Sequence, residues 1–267
     1  MTARIRLALL SLGLGVLLVA AIPALAAGIA PATYTANAPA ANAQVAMVHL
    51  APFASGNGTA VTVTVDSMPV LLNVVYGQST GYRQVPEGSH LVQIYVGASS
   101  TPAISSMVVL TAGLDFTAVV VGNGTYQPLA LKLMQDNNTA PASPFFKVRI
   151  GHLAPFSDTI LGTLADVRLQ NGTPVELNVP YGAVSPMYVT RPAGVYDFKI
   201  TAPGGVPMLI DPLAVMLNSG SILSLFAAGD GVHQRLGVFA LPSGQPGFFL
   251  PLDEFSLYLP AVFRNSQ

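Results

Sequence analysis

The sequence repeats itself, and that repeat limits the possible folds more than any other feature. His49-Leu50-Ala51-Pro52-Phe53 returns as His152-Leu153-Ala154-Pro155-Phe156, 103 residues later. Pro69-Val70-Leu71-Leu72-Asn73-Val74-Val75-Tyr76-Gly77 returns as Pro174-Val175-Glu176-Leu177-Asn178-Val179-Pro180-Tyr181-Gly182, with seven identities in nine positions at an offset of 105. Tyr82, Pro86 and Gly88 match Tyr188, Pro192 and Gly194 at an offset of 106. Leu110 and Gly113 match Leu217 and Gly220 at 107. An offset that grows in small steps is what loop insertions between fixed strands produce. The chain therefore carries two homologous domains in tandem.

Each half reads as β-structure. In the first, 44–49, 61–65, 70–76, 91–96, 107–110, 116–121 and 129–133 are β-branched or apolar runs. Turn residues separate them: Ser55-Gly56-Asn57-Gly58, Pro86-Glu87-Gly88, Ala112-Gly113 and Gly122-Asn123-Gly124. Val61-Thr62-Val63-Thr64-Val65 alternates with period two, as a strand with one wet face does. About seven short strands per half predict a β-sandwich. The expected fold is all-β: two Ig-like or transthyretin-like sandwiches, repeat 1 over 44–135 and repeat 2 over 147–242, with a linker at 136–146. Residues 243–267 are expected to be either an apolar tail or a last strand packed on repeat 2.

The N-terminus reads as a secretory signal. Arg4 and Arg6 precede an uncharged apolar run from Leu7 to Ala21, and Ala24-Leu25-Ala26 is a small-x-small cleavage site. The expected signal is 1–26, followed by an Ala/Pro/Thr/Asn-rich linker at 27–43. Cleavage leaves nine basic against twelve acidic residues, a net charge of −3, and no later segment that spans a membrane. Only 9% of the chain is charged, with no Lys/Arg cluster, so there is no basic field to hold nucleic acid. There is no cysteine. Disulfides, thiol catalysis and zinc-cysteine sites are thereby excluded, and packed cores must hold the fold.

The ordered motifs give the chain a family resemblance. Val48-His49-Leu50-Ala51-Pro52, the Asp66-Ser67 turn, Tyr76-Gly77 with Tyr82, Val85-Pro86-Glu87-Gly88, and Leu110 to Gly113 with Phe116-Thr117 occur in that order. The second half follows with Asn171-Gly172, Tyr181-Gly182, Tyr188 and Pro192-Ala193-Gly194. In this the chain resembles the tandem repeats of domain-of-unknown-function family 4397. The resemblance implies a secreted or surface-attached β-sandwich and implies no reaction. Repeat 2 departs from the pattern at Ser185-Pro186 and at Ser224, which replaces the closing Thr.

Candidate chemistry is sparse. Gly77-Gln78-Ser79-Thr80-Gly81 fits the Gly-x-Ser-x-Gly nucleophile elbow, but that elbow needs a following helix, and Tyr82-Arg83-Gln84-Val85-Pro86 is short and β-like. Val184 stands where Ser79 does in the other repeat. His49 and His152 hold equivalent places, and two readings stay open. Each is a ligand-binding residue beside Phe53 or Phe156, or each is a structural histidine that bonds backbone at a strand end. Neither has the neighbouring donors of a metal site. His90 and His233 do not align and read as surface residues. Asn73 and Asn178 read as edge or bulge residues, and Tyr76 and Tyr181 as corner tyrosines. The expected function is a non-catalytic, cofactor-free module, secreted or held at the cell envelope. It would bind envelope polysaccharide or a surface protein through the loops that begin at Phe53 and Phe156. The alternatives are a purely structural spacer or coat protein, and a serine hydrolase.

Overall fold

The valine and threonine runs form the strands that their alternation predicts. The computed structural model describes residues 42–159 and 161–253. Segment 1–26, nearly all of 27–43 and the tail end 254–267 lie outside the described residues. Repeat 1 consists of β1 (Asn42–His49), β2 (Val61–Val65), β3 (Met68–Val74), β4 (Arg83–Pro86), β5 (Gly88–Val96), β6 (Ile104–Leu110), β7 (Asp115–Val121) and β8 (Ala130–Asp136). Repeat 2 continues with β9 (Phe145–His152), β10 (Ala165–Leu169), β11 (Pro174–Val179), β12 (Val189–Pro192), β13 (Gly194–Tyr196), β14 (Phe198–Thr201), β15 (Met208–Ile210), β16 (Val215–Leu217), β17 (Ile222–Ala228), β18 (Gly237–Pro242) and β19 (Phe248–Phe249). The fold is all-β. Segment 83–86, β-like in sequence but not among the expected strands, forms a four-residue edge strand ending in proline.

Each repeat is a two-sheet sandwich. In repeat 1 the order β3-β2-β5-β6 faces the order β4-β1-β7-β8. In repeat 2 the matching sheets are β11-β10-β14-β15 and β12-β9-β17-β18-β19, and β13 pairs separately with β16. The signature is a parallel pair, β1 on β7 and β9 on β17, inside otherwise antiparallel sheets. Asn73 and Asn178 are bulge residues, as expected: both are left-handed (φ 55° and 53°), and the ladder shifts register beside each. Asp66 and Ser67 both have positive φ and close the β2–β3 hairpin as a two-residue turn.

Packing is where the structure goes beyond the repeat. Val61, Val63, Ile94 and Val120 belong to the core of repeat 1. Phe146, Phe198, Leu225 and Val238 belong to that of repeat 2. A third cluster belongs to both. It joins Val48, Leu50, Val119 and Val121 of repeat 1 to Leu153, Phe226, Ala228, Phe239 and Leu241 of repeat 2. The β4-β1-β7-β8 sheet thus lays its outer face on the outer face of the β9-containing sheet. The central strands β7 and β17 are buried on both sides, residue after residue. Size is exchanged across equivalent positions: Val48 pairs with Val119, while Gly151 pairs with Phe226. A Cβ on Gly151 would stand 2.7 Å from the Phe226 ring, so glycine there makes room for the phenylalanine.

A buried polar network lies within the same contact. Arg149 Nη2 donates to Asp136 Oδ1 at 2.6 Å, and both side chains are almost wholly buried. Asp136 Oδ2 also accepts from Tyr82 OH (2.8 Å) and Thr117 Oγ1 (2.7 Å). Arg149 completes its bonds at Ser224 Oγ and the Gln135 carbonyl and lies over the Tyr188 ring, 4.8 Å from its centre. Tyr82 and Tyr188 are equivalent, as are Thr117 and Ser224, so the family-like tyrosines and closing hydroxyls serve the contact between repeats. Asp136, which opens the expected linker, is the last residue of β8.

Residues 243–253 bind both repeats. Phe249 packs on Phe239 of repeat 2 and stacks on Tyr76 of repeat 1. Gly77 has φ 81°, and a Cβ there would meet the Phe249 ring at 2.9 Å. Leu250 enters the repeat 2 core.

Candidate functional site

Two histidine latches shape one end of the molecule. His49 Nε2 lies 2.8 Å from the Thr59 carbonyl, so it must donate, which leaves Nδ1 to accept from the Ala51 N–H at 3.3 Å. His152 does the same with Thr163 (2.6 Å) and Ala154 (3.4 Å). Each ring is buried and stacks on the phenylalanine four residues on, Phe53 at 5.8 Å and Phe156 at 5.4 Å. The phenylalanines are partly buried and pack against the two cores. The histidines and phenylalanines singled out in the sequence thus lie together, as the inner wall of loops 53–59 and 156–163.

Burial disfavours the charged imidazole. It lowers the His49 pKa to about 4 and moves His152 in the same direction. A folded pKa below the unfolded value of about 6.5 means that the unfolded chain takes up the proton first. Stability from these groups is full above pH 6.5 and falls as pH drops from 6.5 toward 4. His49 alone should cost about 3 kcal/mol across that window. Urea unfolding at pH 7 and pH 4.5 tests this: His49→Gln/His152→Gln should start less stable and show a flatter slope. An equal slope in both proteins would contradict the assignment.

The other sequence candidates settle differently. His90 is not a surface residue: it is buried, with Nδ1 2.6 Å from Asp66 Oδ2 and Nε2 2.9 Å from the Pro86 carbonyl. Two acceptors favour the imidazolium, and the bond to Asp66 raises its pKa most. The Tyr76 hydroxyl is buried without a hydrogen-bond partner, so that side chain serves as a packing ring rather than a corner tyrosine. Ser79 bridges to Val48, and its Oγ accepts the Gly247 N–H at 2.7 Å. The chain after it runs into β4, with no helix. Among the described residues no cluster of three or more His, Asp or Glu could hold a metal ion.

Two further loops complete this end. Because β1 and β7 run parallel, the chain leaves both at the same end, and the same holds for β9 and β17. The Asn123 side chain accepts from the N–H groups of Thr125, Tyr126 and Gln127. Asp230 does so for Val232, His233 and Gln234, and its second oxygen holds His233 Nδ1 at 2.7 Å. These loops reach across the repeats. Asn123 Nδ2 contacts the Pro155 carbonyl at 3.5 Å, and Gln234 Nε2 donates to the Ala54 carbonyl at 2.7 Å. Loops 53–59, 122–129, 156–163 and 229–236 therefore meet in one composite face. Tyr126 (51% exposed) and His233 occupy equivalent positions on it, and Leu161 and Val232 are also exposed there. A signal for the second loop pair existed in the sequence: Gly122-Asn123-Gly124-Thr125-Tyr126-Gln127-Pro128-Leu129 aligns with Gly229-Asp230-Gly231-Val232-His233-Gln234-Arg235-Leu236 at offset 107.

The fold and this face define a double β-sandwich with a composite loop surface. Residues 43–160 match the family described as Domain of unknown function (DUF4397). The match spans repeat 1 and the opening strand of repeat 2. No curated protein matches the chain. Two solved structures share distant likeness. One, described as alpha-glucan recognition by family 41 carbohydrate-binding modules from streptococcal virulence factors, is 12% identical, with 76% of this chain and 97% of that one covered and a TM-score of 0.23. The other, the Bacillus anthracis TIE protein, is 12% identical, with 80% of this chain and 49% of that one covered and a TM-score of 0.20. Likeness this distant says nothing of what the present chain binds. Among the described residues no helix is long and apolar enough to cross a membrane.

Proposed function

We propose that the protein is an exported, non-catalytic binding module of the cell envelope, and that it holds envelope polysaccharide or a surface protein through the four-loop face. The observation that carries this reading is the convergence of four loops from two repeats on a body locked by a common core. Loops fixed on a rigid scaffold are where recognition is usually built. His49, Phe53, His152 and Phe156 form the supporting wall, and the exposed ring of Tyr126 and the half-buried ring of His233 offer flat surfaces with polar edges. A spacer gains length by stacking domains end to end, whereas these repeats lie face to face, so the spacer reading has less support.

The test is co-sedimentation of residues 27–267 with washed envelopes of the host and with a panel of polysaccharides. Saturable binding is expected, reduced at least about tenfold by Tyr126→Ala/His233→Ala. Absence of binding would sink the reading. Binding untouched by the double variant would remove the loop face as the site.

A further inference from the structure

Both sandwiches are incompletely filled, and at the same place. A cleft of about 310 Å³ opens between the sheets of repeat 1, and one of about 330 Å³ between those of repeat 2. Interiors of this kind are normally packed without voids much larger than a water molecule. These volumes fall instead at the lower end of small-ligand pockets. Core positions of the two linings correspond: Val45 with Val148, Val63 with Val167, and Val92 with Phe198. A packing fault would not be expected at the same site in two diverged copies.

Topology explains the opening. β3 is the edge of one sheet and β4 the edge of the other, and the two do not pair; β11 and β12 repeat the arrangement. Apolar side chains reach solvent at the mouth: Met68 is 69% exposed, Val70 42% and its counterpart Val175 41%. Each mouth also has one arginine on its short edge strand, Arg83 on β4 and Arg191 on β12, although they hold different positions of the repeat: Arg83 matches Val189, and Arg191 matches Val85. Among the described residues neither is in a salt bridge. Arg83 Nε is buried with no hydrogen-bond partner, while the nearby carboxylate of Asp66 is taken up by His90 and the Leu91 N–H.

We propose that each cleft binds one single-chain carboxylate amphiphile, of the fatty-acid class. The alkyl chain lies between the sheets, and the carboxylate meets the arginine at the mouth. An apolar cleft this size gains from an apolar occupant, and a guanidinium with an unused N–H is a ready partner for a carboxylate. Glu176 lines the second mouth, where repeat 1 has Leu71, so the second site discriminates less by head-group charge.

The chain has no tryptophan, which makes a clean reporter available. Val70→Trp and Val175→Trp each place one indole at one mouth, on a side chain already exposed. Each variant is titrated with dodecanoate and with dodecyltrimethylammonium, below their micelle concentrations. Dodecanoate should give a saturable blue shift in both variants. In Val70→Trp it should bind about tenfold tighter than the cation, and adding Arg83→Met should abolish that preference while chain binding remains. No saturable response in either reporter, or equal affinity for the two head groups in Val70→Trp, would overturn the proposal. Tyr126→Ala/His233→Ala should leave these titrations unchanged, so failure here and failure of the loop-face reading are separable.

Discussion

Arg149→Met is expected to lower the unfolding free energy by about 3–5 kcal/mol, the usual cost of leaving a buried charge without its partner. The substitution roughly preserves the aliphatic volume but strands Asp136, whose carboxylate has almost no access to water. The donors that remain, Tyr82 OH, Thr117 Oγ1 and, at 3.4 Å, Tyr188 OH, are neutral and only partly offset that loss. Arg149→Met/Asp136→Asn should recover most of the stability, because a neutral amide can keep partners without a cation. Urea denaturation of the three proteins is the measurement. A loss below about 1 kcal/mol in the single variant would show that solvent reaches the pair. The position is informative because Arg149 comes from β9 and Asp136 from β8: the pair spans the two repeats, and its loss should weaken the contact between them.

Separating the repeats should have the larger structural effect. A repeat 1 chain ending near residue 138 keeps its two sheets but presents Val48, Leu50, Val119 and Val121 to water, with Asp136 unpaired beside them. A contiguous apolar face of that kind drives association. The expected result in analytical ultracentrifugation is that each repeat alone self-associates or precipitates. Mixing them in equal amounts should restore a one-to-one complex. Two monomeric, soluble, non-interacting repeats would show that the common core contributes little. Because the faces are related by descent, the arrangement has the form of an isologous dimer whose two halves are fused in one chain.

Much of this was legible in the residues. The repeat, the strand runs and the Asp66-Ser67 turn follow from local chemistry: alternation, β-branching and turn-forming side chains act within a few residues. The bulge at Asn73 and Asn178 was legible too, because a polar residue inside an apolar strand needs a reason. The twofold burial of β7 was written in Phe116-Thr117-Ala118-Val119-Val120-Val121, which lacks the wet-face alternation of Val61 to Val65. Its meaning was not, since a nearly unbroken apolar run says that both faces are covered without saying by what.

The sequence by itself determined two β-sandwiches and their internal grammar, because strand and turn formation depend on near neighbours. Only the tertiary structure decided that the sandwiches lie face to face, that Arg149 meets Asp136, and that the His-Leu-Ala-Pro-Phe segment is a latch with Leu50 and Leu153 in a common core. It also decided that β3 and β4 leave a cleft open between them. These outcomes depend on which sheet faces meet and which edges do not. Such choices are set by shape and burial across long separations in the chain, where no residue pattern marks the partner in advance.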